Sequence, residues 1–505
     1  MDTFLSYFNG FAALTDPLNF AMLVGGFLIG TFFGAMPGLT SVLAIALLLP
    51  VTYQIDVVPA LIMCASIFMS GMYSGSITAI TINIPGAPSS MMTALDGNKL
   101  MKRGKGANAL GHAALGSMIG GTLGAVLLMA FMPIAAKVSL LIQTPGKFAL
   151  IFFALVVIVI VEKGNLAKAA IAMLLGLMIA TIGIDELLSV PRFTFGTENL
   201  IQGIDLMPLV IGAFAISEIL IQAQNWRLEK QIDLDAVNRI KITRRDFIPL
   251  WSEVREIGIW VYLKSTIIGY LIGILPGAGG SMAAFVSYIE ARRASRKPHE
   301  YGNGSREGIA AAESANNAMC GGAFVPMLMF GIPGDPTTAI VLGVLVINGL
   351  QPGARLMENQ ADLISPMFAS LIVSALILIP LTLYLLGPLF LKMVTISRGL
   401  LYSGIAVVAL VGSYVATLSI FQMALSLVLG ILAFYMRRQN YSCVAMLLGF
   451  ILGPDLEQYF RRAMSLSDGD PTIFLTSLDS LFFLGLTAAF VYMIVIRKPK
   501  QRPAV

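Results

Sequence analysis

The sequence predicts an all-α integral membrane protein, and two observations support this prediction. Of its 505 residues, 57% are hydrophobic and only 12% are charged, whereas soluble domains are about one quarter charged. Apolar stretches recur along the whole chain, and a helix needs about 20 apolar residues to cross a bilayer. Because every backbone polar group must be paired inside lipid, such stretches fold as helices. We expect about 10 to 14 transmembrane segments.

Basic residues predict the orientation, because Lys and Arg accumulate in cytoplasmic loops. The N-terminal stretch up to Asn98 contains neither, and four basic clusters follow, at 99–105, 227–255, 292–306 and 497–502. We place all four clusters and the C-terminus in the cytoplasm, and the N-terminus outside. A nucleic-acid partner is not expected, because these residues sit in short loops between apolar spans.

Individual spans follow from the apolar stretches between these clusters. The stretches at 148–161 and 441–453 are short for a full crossing. In chain order, the predicted spans are Ala107 to Met132, Phe148 to Val161, Leu166 to Ile184, Ile204 to Ile221, Leu363 to Leu391, two within Gly399 to Met436, one within Tyr441 to Gly453, and Thr472 to Ile496.

An internal repeat is the strongest pattern in the chain. The segment IGTFFGAMPG at 29–38 is matched by IGYLIGILPG at 268–277, and IPGAPSS at 84–90 is matched by IPGDPTT at 332–338. Two matched pairs in the same order are hard to obtain by chance, and such self-similarity marks repeat architectures. We therefore predict two repeat units, 1–225 and 257–505, joined by a cytoplasmic linker at 226–256.

The charges that flank the two copies predict opposite orientations in the membrane. The stretch from Leu18 to Leu49 has no basic residue on either side, so we expect a re-entrant hairpin that enters from outside. The stretch from Ile257 to Ile289 has basic loops on both sides, so its hairpin enters from the cytoplasm. Inverted-topology repeats with broken helices are typical of secondary transporters, which bind substrate where the repeats meet.

The Pro-Gly segments predict the chemistry of that site. Proline removes a backbone donor and glycine permits an unwound backbone, so these motifs interrupt helices. Half-helix N-termini with unpaired N–H groups suit an anion, and nearby hydroxyls and amides can donate to a carboxylate. Alternatively, the breaks only shape the helices. The predicted substrate-binding residues are Pro37, Gly38, Thr40, Ser41, Asn83, Pro85, Gly86, Ser89, Ser90, Pro276, Gly277, Gly279, Gly280, Ser281, Pro333, Gly334, Thr337 and Thr338.

Three residues near the second copy's breaks are predicted to couple transport to an ion. Asp335 stands where the first copy has Ala87, and an intramembrane carboxylate is a functional candidate that could carry a proton or ligate sodium. Its alternative role is to cap the helix that begins at Pro336. Glu313 and Asn317 share a helix face and either line a polar cavity or make packing contacts.

Other sites are not indicated by the sequence. The three cysteines are far apart in apolar segments and form no CxxC pair, so neither a metal site nor a disulfide is predicted. No phosphate-binding GxxxxGK[ST] motif and no paired catalytic acids are present, so we expect neither an enzyme nor a cofactor beyond a coupling ion. We interpret His112 as a structural histidine, and Gly116, Gly120 and Gly124 as a close helix contact.

The motifs together resemble a known family. They are GxxxGxxPG at 30–38, SGSITAI at 74–80 leading to NIPG at 83–86, LPGAGG at 275–280, GIPGDPTT at 331–338 and NGLQPG at 348–353. This combination resembles the large membrane subunit of the tripartite tricarboxylate transporter family.

The resemblance implies a permease of the bacterial inner membrane, so the outer side predicted for the N-terminus is the periplasm. It implies two partners, a small four-helix membrane subunit and a periplasmic solute-binding protein. It also implies import of citrate, other tricarboxylates or related organic carboxylates, driven by a sodium or proton gradient. A passive anion channel and a stand-alone organic-anion carrier are the alternatives.

Overall fold

The computed structural model describes residues 2–162, 165–185, 187–225, 244–393 and 398–493. This part of the chain is helical apart from short connections and one antiparallel hairpin of two strands, β1 (Gly183–Ile184) and β2 (Pro191–Arg192). The predicted all-α membrane class is therefore confirmed. The predicted basic residues at 227–241 and 497–502, and most of the predicted linker, lie outside the described residues.

Ten helices form the described part of the first half. Their bounds are α1 (Asp2–Ala13), α2 (Pro17–Ala35), α3 (Ser41–Thr52), α4 (Val57–Ile82), α5 (Met91–Lys102), α6 (Gly106–Leu141), α7 (Thr144–Val161), α8 (Leu166–Ala180), α9 (Leu206–Val210) and α10 (Ser217–Asn225). A 3₁₀ turn, Pro88–Ser90, leads into α5, and a π-helical segment, Ile211–Ile216, joins α9 to α10.

The second half continues with further helices. They are α11 (Trp251–Ile257), α12 (Ile259–Ile274), α13 (Gly279–Ala294), α14 (Arg306–Phe330), α15 (Pro336–Ile347), α16 (Ala354–Asn359), α17 (Ala361–Val373), α18 (Ile379–Met393), α19 (Arg398–Thr417), α20 (Ile420–Arg438), α21 (Cys443–Leu466), α22 (Ile473–Thr476) and α23 (Leu478–Val491). A π-helical segment, Ser374–Leu378, joins α17 to α18.

Seven helices of the described chain are long and apolar enough to cross a bilayer, and five shorter apolar helices accompany them. The predicted span at 148–161 is one of the seven. The predicted span at 166–184 is too long: α8 ends at Ala180, because the chain turns there and Gly183, with φ of +126°, begins the β-hairpin. The span predicted from Thr472 is interrupted at Ser477, between α22 and α23.

Both predicted hairpins are present as broken helix pairs. In the first, α2 runs parallel to α4, since Gly26 faces Met63 and Gly34 faces Gly71. The chain then breaks at Pro37-Gly38, and α3 returns towards the start of α4. In the second, α12 runs parallel to α14, and α13 returns after the break at Pro276-Gly277. Gly38 and Gly277 have φ of +85° and +73°, which glycine adopts without steric cost.

The repeat is also visible in its backbone contacts. A Cβ on Gly86 would lie 3.1 Å from the Cα of Gly75 and would meet the carbonyl oxygen of Gly34. At the corresponding place, a Cβ on Gly334 would lie 2.7 Å from the Cα of Ala323 and 2.5 Å from the carbonyl oxygen of Gly273. In both copies, the Ile-Pro-Gly segment therefore packs on the end of the preceding broken helix.

Helices α4 and α14 form the centre of the molecule and cross in opposite directions. Every residue from Pro59 to Thr81 and from Gly308 to Met329 is buried. Phe68 stacks edge-on against Phe324, whereas Met72, further along α4, accepts a hydrogen bond from Asn316, earlier in α14. The two central helices are therefore antiparallel. The inverted orientation of the repeats in a membrane stays a prediction.

The glycine run on α6 confirms the predicted close helix contact. Cβ atoms on Gly116 and Gly124 would lie 3.0 Å from the carbonyl oxygen of Ala310 and 2.7 Å from that of Ala318. A Cβ on Gly120 would meet the backbone of Ser314 between them. Because these residues lack side chains, the backbones of α6 and α14 approach closely enough to pack face to face.

Candidate functional site

The four helix breaks meet beside the crossing of α4 and α14. Ser41, at the start of α3, lies with its Oγ 3.4 Å from Oγ1 of Thr337, at the start of α15. A Cβ on Gly279 would lie 3.1 Å from Oδ2 of Asp335, and one on Gly280 would lie 3.1 Å from Cβ of Ser89. Each break of one copy thus contacts a break of the other. The sequence-predicted convergence of the breaks is the central feature of the site.

Two of the helix starts at this meeting point are capped by their own side chains. Oγ1 of Thr40 accepts a hydrogen bond from the backbone N–H of Leu43 at 3.3 Å and caps α3. Oδ1 of Asp335 accepts from the N–H of Thr337 at 2.8 Å, and Oγ1 of Thr338 bonds the Asp335 backbone. Asp335 therefore caps α15, which is one of the two roles that the sequence left open for it.

The other two starts have no side-chain cap. Helix α13 begins after Ala278, and the turn leading into α5 begins after Ala87, neither of which has a capping side chain. The first N–H groups of a helix need an outside partner. At α13, a helix of 16 residues, the N-terminus therefore offers backbone donors and a positive dipole end to an anion.

Buried hydroxyls without partners lie beside this uncapped start. Ser89 and Ser90 are 4% and 0% exposed, and neither Oγ has a hydrogen-bond partner. Oδ1 of Asn316, also buried and unpaired, faces Gly280, the second residue of α13. Buried polar groups are nearly always hydrogen-bonded, so a cluster of exceptions indicates a place for a ligand.

The remaining predicted substrate residues shape the backbone of the breaks. Asn83 ends α4 with φ of +59°, as Gly331 ends α14 with φ of +67°, and the Asn83 side chain is exposed. Pro85, Gly86, Pro333 and Gly334 lie in the unwound segments, and Ser281 is half-buried in the first turn of α13. The contact of these residues with a substrate stays a prediction.

The first break has neighbours that the sequence analysis missed. Gly38 lies against Glu218 and Gln222 of α10, and the hydroxyl of Tyr402 donates to the carbonyl of Pro37 at 3.2 Å. Glu218 is 7% exposed and pairs with Arg437 at 2.6 Å. The sequence did contain a signal for this contact. Glu218 is an acid within the predicted span Ile204 to Ile221, and charges inside membrane helices are rare and usually paired.

Asn317 and Glu313 lie on the buried face of α14. Nδ2 of Asn317 donates to the carbonyl of Met69 at 3.0 Å, which ties α14 to α4. The carboxyl group of Glu313 accepts from the hydroxyls of Thr93 and Ser117, on α5 and α6. Neither residue touches Asp335, so the three predicted coupling residues do not form one cluster.

His112 and the three cysteines all lie within the described residues. His112 is buried, with Nε2 at 3.3 Å from Oε2 of Glu253, which fits a structural histidine. Cys64, Cys320 and Cys443 are buried and unpaired. Across the described ranges, no group of three or more His, Cys, Asp or Glu side chains is arranged to hold a metal ion.

Comparison with known proteins decides the family. The model of the tripartite tricarboxylate transporter TctA family matches residues 20–448. The chain belongs to this family. An uncharacterised 52.8 kDa protein in the TAR-I ttuC' 3' region of Agrobacterium vitis is 35% identical over 503 residues, which are 99% of this chain and 98% of that protein.

A second relative covers part of the chain. An uncharacterised protein in the TAR-II ttuC' 3' region of the same organism is 38% identical over 228 residues, which are 45% of this chain and 94% of that protein. No solved structure matches the chain. As a TctA-family protein, the chain is a multi-pass membrane component of a tricarboxylate transporter, and the resemblance read from its motifs is confirmed.

Proposed function

We propose that this TctA-family chain is the permease of an importer for tricarboxylates or related organic carboxylates in the bacterial inner membrane. A sodium or proton gradient drives the import. A periplasmic solute-binding protein delivers the substrate, and a small four-helix membrane subunit completes the transporter. Family membership supports the transport of tricarboxylates and the need for partner proteins, and the proposed binding of carboxylates rests on the site.

The uncapped start of α13, beside the turn that carries Ser89 and Ser90, is the observation that carries this proposal. Backbone N–H groups and two free hydroxyls together offer several neutral donors in a buried place. Such donors can hold a carboxylate without a buried cation, whose desolvation would be costly. We assign the substrate carboxylates to this half of the site, between α13 and the turn at 88–90.

The arrangement of the two copies supports alternating access. Each copy is a hairpin followed by a long broken span, and the central helices α4 and α14 are antiparallel. If the copies are inverted in the membrane, two equivalent conformations open the site to opposite sides. We assign ion coupling to Asp335, Asn317 and Glu313, which lie at separate places close to the same breaks.

Transport in vesicles tests the proposal. Vesicles that contain the chain and its membrane partner, supplied with the binding protein, should accumulate labelled tricarboxylate under a sodium or proton gradient. An ionophore that dissipates the gradient should abolish accumulation. Accumulation that never exceeds equilibrium would favour a passive channel, and accumulation without the binding protein would favour a stand-alone carrier.

The double variant Ser89→Ala and Ser90→Ala tests the site. Loss of two hydrogen bonds should weaken substrate binding by about 1–3 kcal/mol, which is about 5- to 160-fold in Kd. Ser139→Ala is the matched control, because Ser139 is also buried but bonds only its own helix, at Ala136. Titration of the purified protein with citrate and other tricarboxylates measures both Kd values. Equal Kd values for the two variants would show that Ser89 and Ser90 do not bind the substrate.

A further inference from the structure

Glu313 is a completely buried carboxyl group near the site. It lies in the N-terminal half of α14 with 0% of its surface exposed. Its Oε1 contacts the hydroxyl of Thr93 on α5, and its Oε2 lies 3.1 Å from the hydroxyl of Ser117 on α6. The carboxyl group therefore joins three helices inside the membrane domain.

No described positive charge lies within ion-pair distance of Glu313. On α6, His112 is turned to Glu253, and on α12, Lys264 pairs with Glu290 of α13 at 2.7 Å. The other titratable groups around Glu313 are acids and tyrosines, so none of them supplies a positive charge. They are Asp96 on α5, bonded to Tyr288 of α13, Tyr262 and Tyr270 on α12, Tyr73 on α4, and Asp335 beyond the end of α14.

This environment favours the protonated acid. An ionised carboxylate that is removed from water without a counter-charge is strongly disfavoured, and in practice it takes up a proton. Hydroxyl partners suit either state, because each can donate to a carboxyl oxygen or accept from a carboxylic acid. Asp335 differs, since its carboxyl group accepts from the backbone N–H of Thr337 at the start of α15.

Helix α5 also connects Glu313 to the proposed substrate site. Thr93 lies in the first turn of α5, directly after Ser89 and Ser90, so one rigid segment touches both the substrate donors and Glu313. A movement of this segment onto a bound carboxylate would change the hydrogen bond of Thr93 to Glu313.

From this connection we propose that Glu313 is the proton-carrying residue of the transporter. The carboxylate takes one proton from water when its surroundings open, and holds it as a carboxylic acid while α5 and α6 enclose it. The acid returns the proton to water when these helices separate on the other side. This inference rests on the proposed function, because proton coupling requires a transported substrate.

Infrared spectroscopy of the purified protein tests the protonation without any substrate. A carboxylic acid has a carbonyl stretching band that ionised carboxylates lack. The band should be present at neutral pH, absent in Glu313→Gln and retained in Asp335→Asn. A band unchanged by Glu313→Gln would overturn the proposal. Glutamine keeps the size and hydrogen bonds of the protonated acid, so this variant should fold.

Transport measurements separate proton coupling from a purely structural role. Glu313→Gln should still exchange labelled for unlabelled tricarboxylate across vesicles, but should lose about tenfold or more of its accumulation driven by a pH gradient. Accumulation equal to wild type would contradict the proposal. If the wild-type protein transports no carboxylate, the proposed function fails, and the infrared comparison still decides the protonation of Glu313.

Discussion

At the scale of single residues, two buried carboxyl groups have opposite surroundings. Asp335 receives a backbone N–H and caps α15. Glu313, in the N-terminal half of α14, meets the hydroxyls of Thr93 and Ser117 and the side chain of Asn316. Two carboxyl groups with different partners therefore lie on neighbouring elements without forming one cluster. We keep Asp335 as a candidate for attracting a cation, and assign the proton to Glu313.

Asp335 gives a residue-scale prediction that separates its capping role from its charge. Asp335→Ala removes the cap and should lower the stability of the protein by about 0.5–2 kcal/mol, whereas Asp335→Asn keeps a good cap and should cost less. Thermal unfolding in detergent measures the difference. Asp335→Asn should nevertheless weaken gradient-driven uptake, because the charge is lost. Uptake equal to wild type would remove Asp335 from ion coupling.

The local sequence predicts only some of the contacts that these buried acids make. The cap at Asp335 could be read from its neighbours, because Asp followed by Pro and two Thr is good capping chemistry. The contact between Gly38 and Glu218 could not, because these residues lie far apart along the chain and meet only through packing. The hydroxyl partners of Glu313 come from α5 and α6, and no local pattern in α14 indicates them.

At the scale of elements, the Pro-Gly motifs predicted the breaks well. Proline and glycine act on the backbone of their own segment, so their effect is visible locally. The β-hairpin after α8 was missed, because two-residue strands leave almost no alternating pattern. It is held by charges distant in sequence: Arg192 pairs with Glu457, and Arg461 pairs with Asp185.

This hairpin gives an element-scale prediction about pH. The backbone N–H of Leu188, then that of Leu187 and the guanidinium of Arg461, lower the pKa of Asp185 to about 2. The folded hairpin thus favours the ionised carboxylate, compared with an ordinary pKa of about 3.9. The stabilisation is present above about pH 4, and is lost as the pH falls through about 2.

Hydrogen–deuterium exchange of residues 183–192 measures this effect, after correction for the intrinsic exchange rate. Protection should fall as the pH drops from about 4 to about 2, and Asp185→Asn should remove most of this dependence. Protection that falls equally in both proteins would assign the change to another group.

At the scale of the whole molecule, the two copies build one site from matching parts. The order of elements, the backbone contacts of Gly86 and Gly334, and the antiparallel crossing of α4 and α14 agree with an internal repeat. The repeat and its broken helices could be read from sequence, because matched motifs preserve order. The difference between capped and uncapped helix starts could not be predicted from the sequence, because it depends on how the four breaks fold together.

Inverted insertion in the membrane is the central claim, because it makes alternating access through one site possible. Accessibility to a membrane-impermeant thiol reagent tests it most directly, in a background with Cys64, Cys320 and Cys443 replaced. Tyr53→Cys, between α3 and α4, should be labelled only from outside, and Arg296→Cys, after α13, only from the cytoplasmic side. Labelling of both positions from the same side would contradict the inverted arrangement.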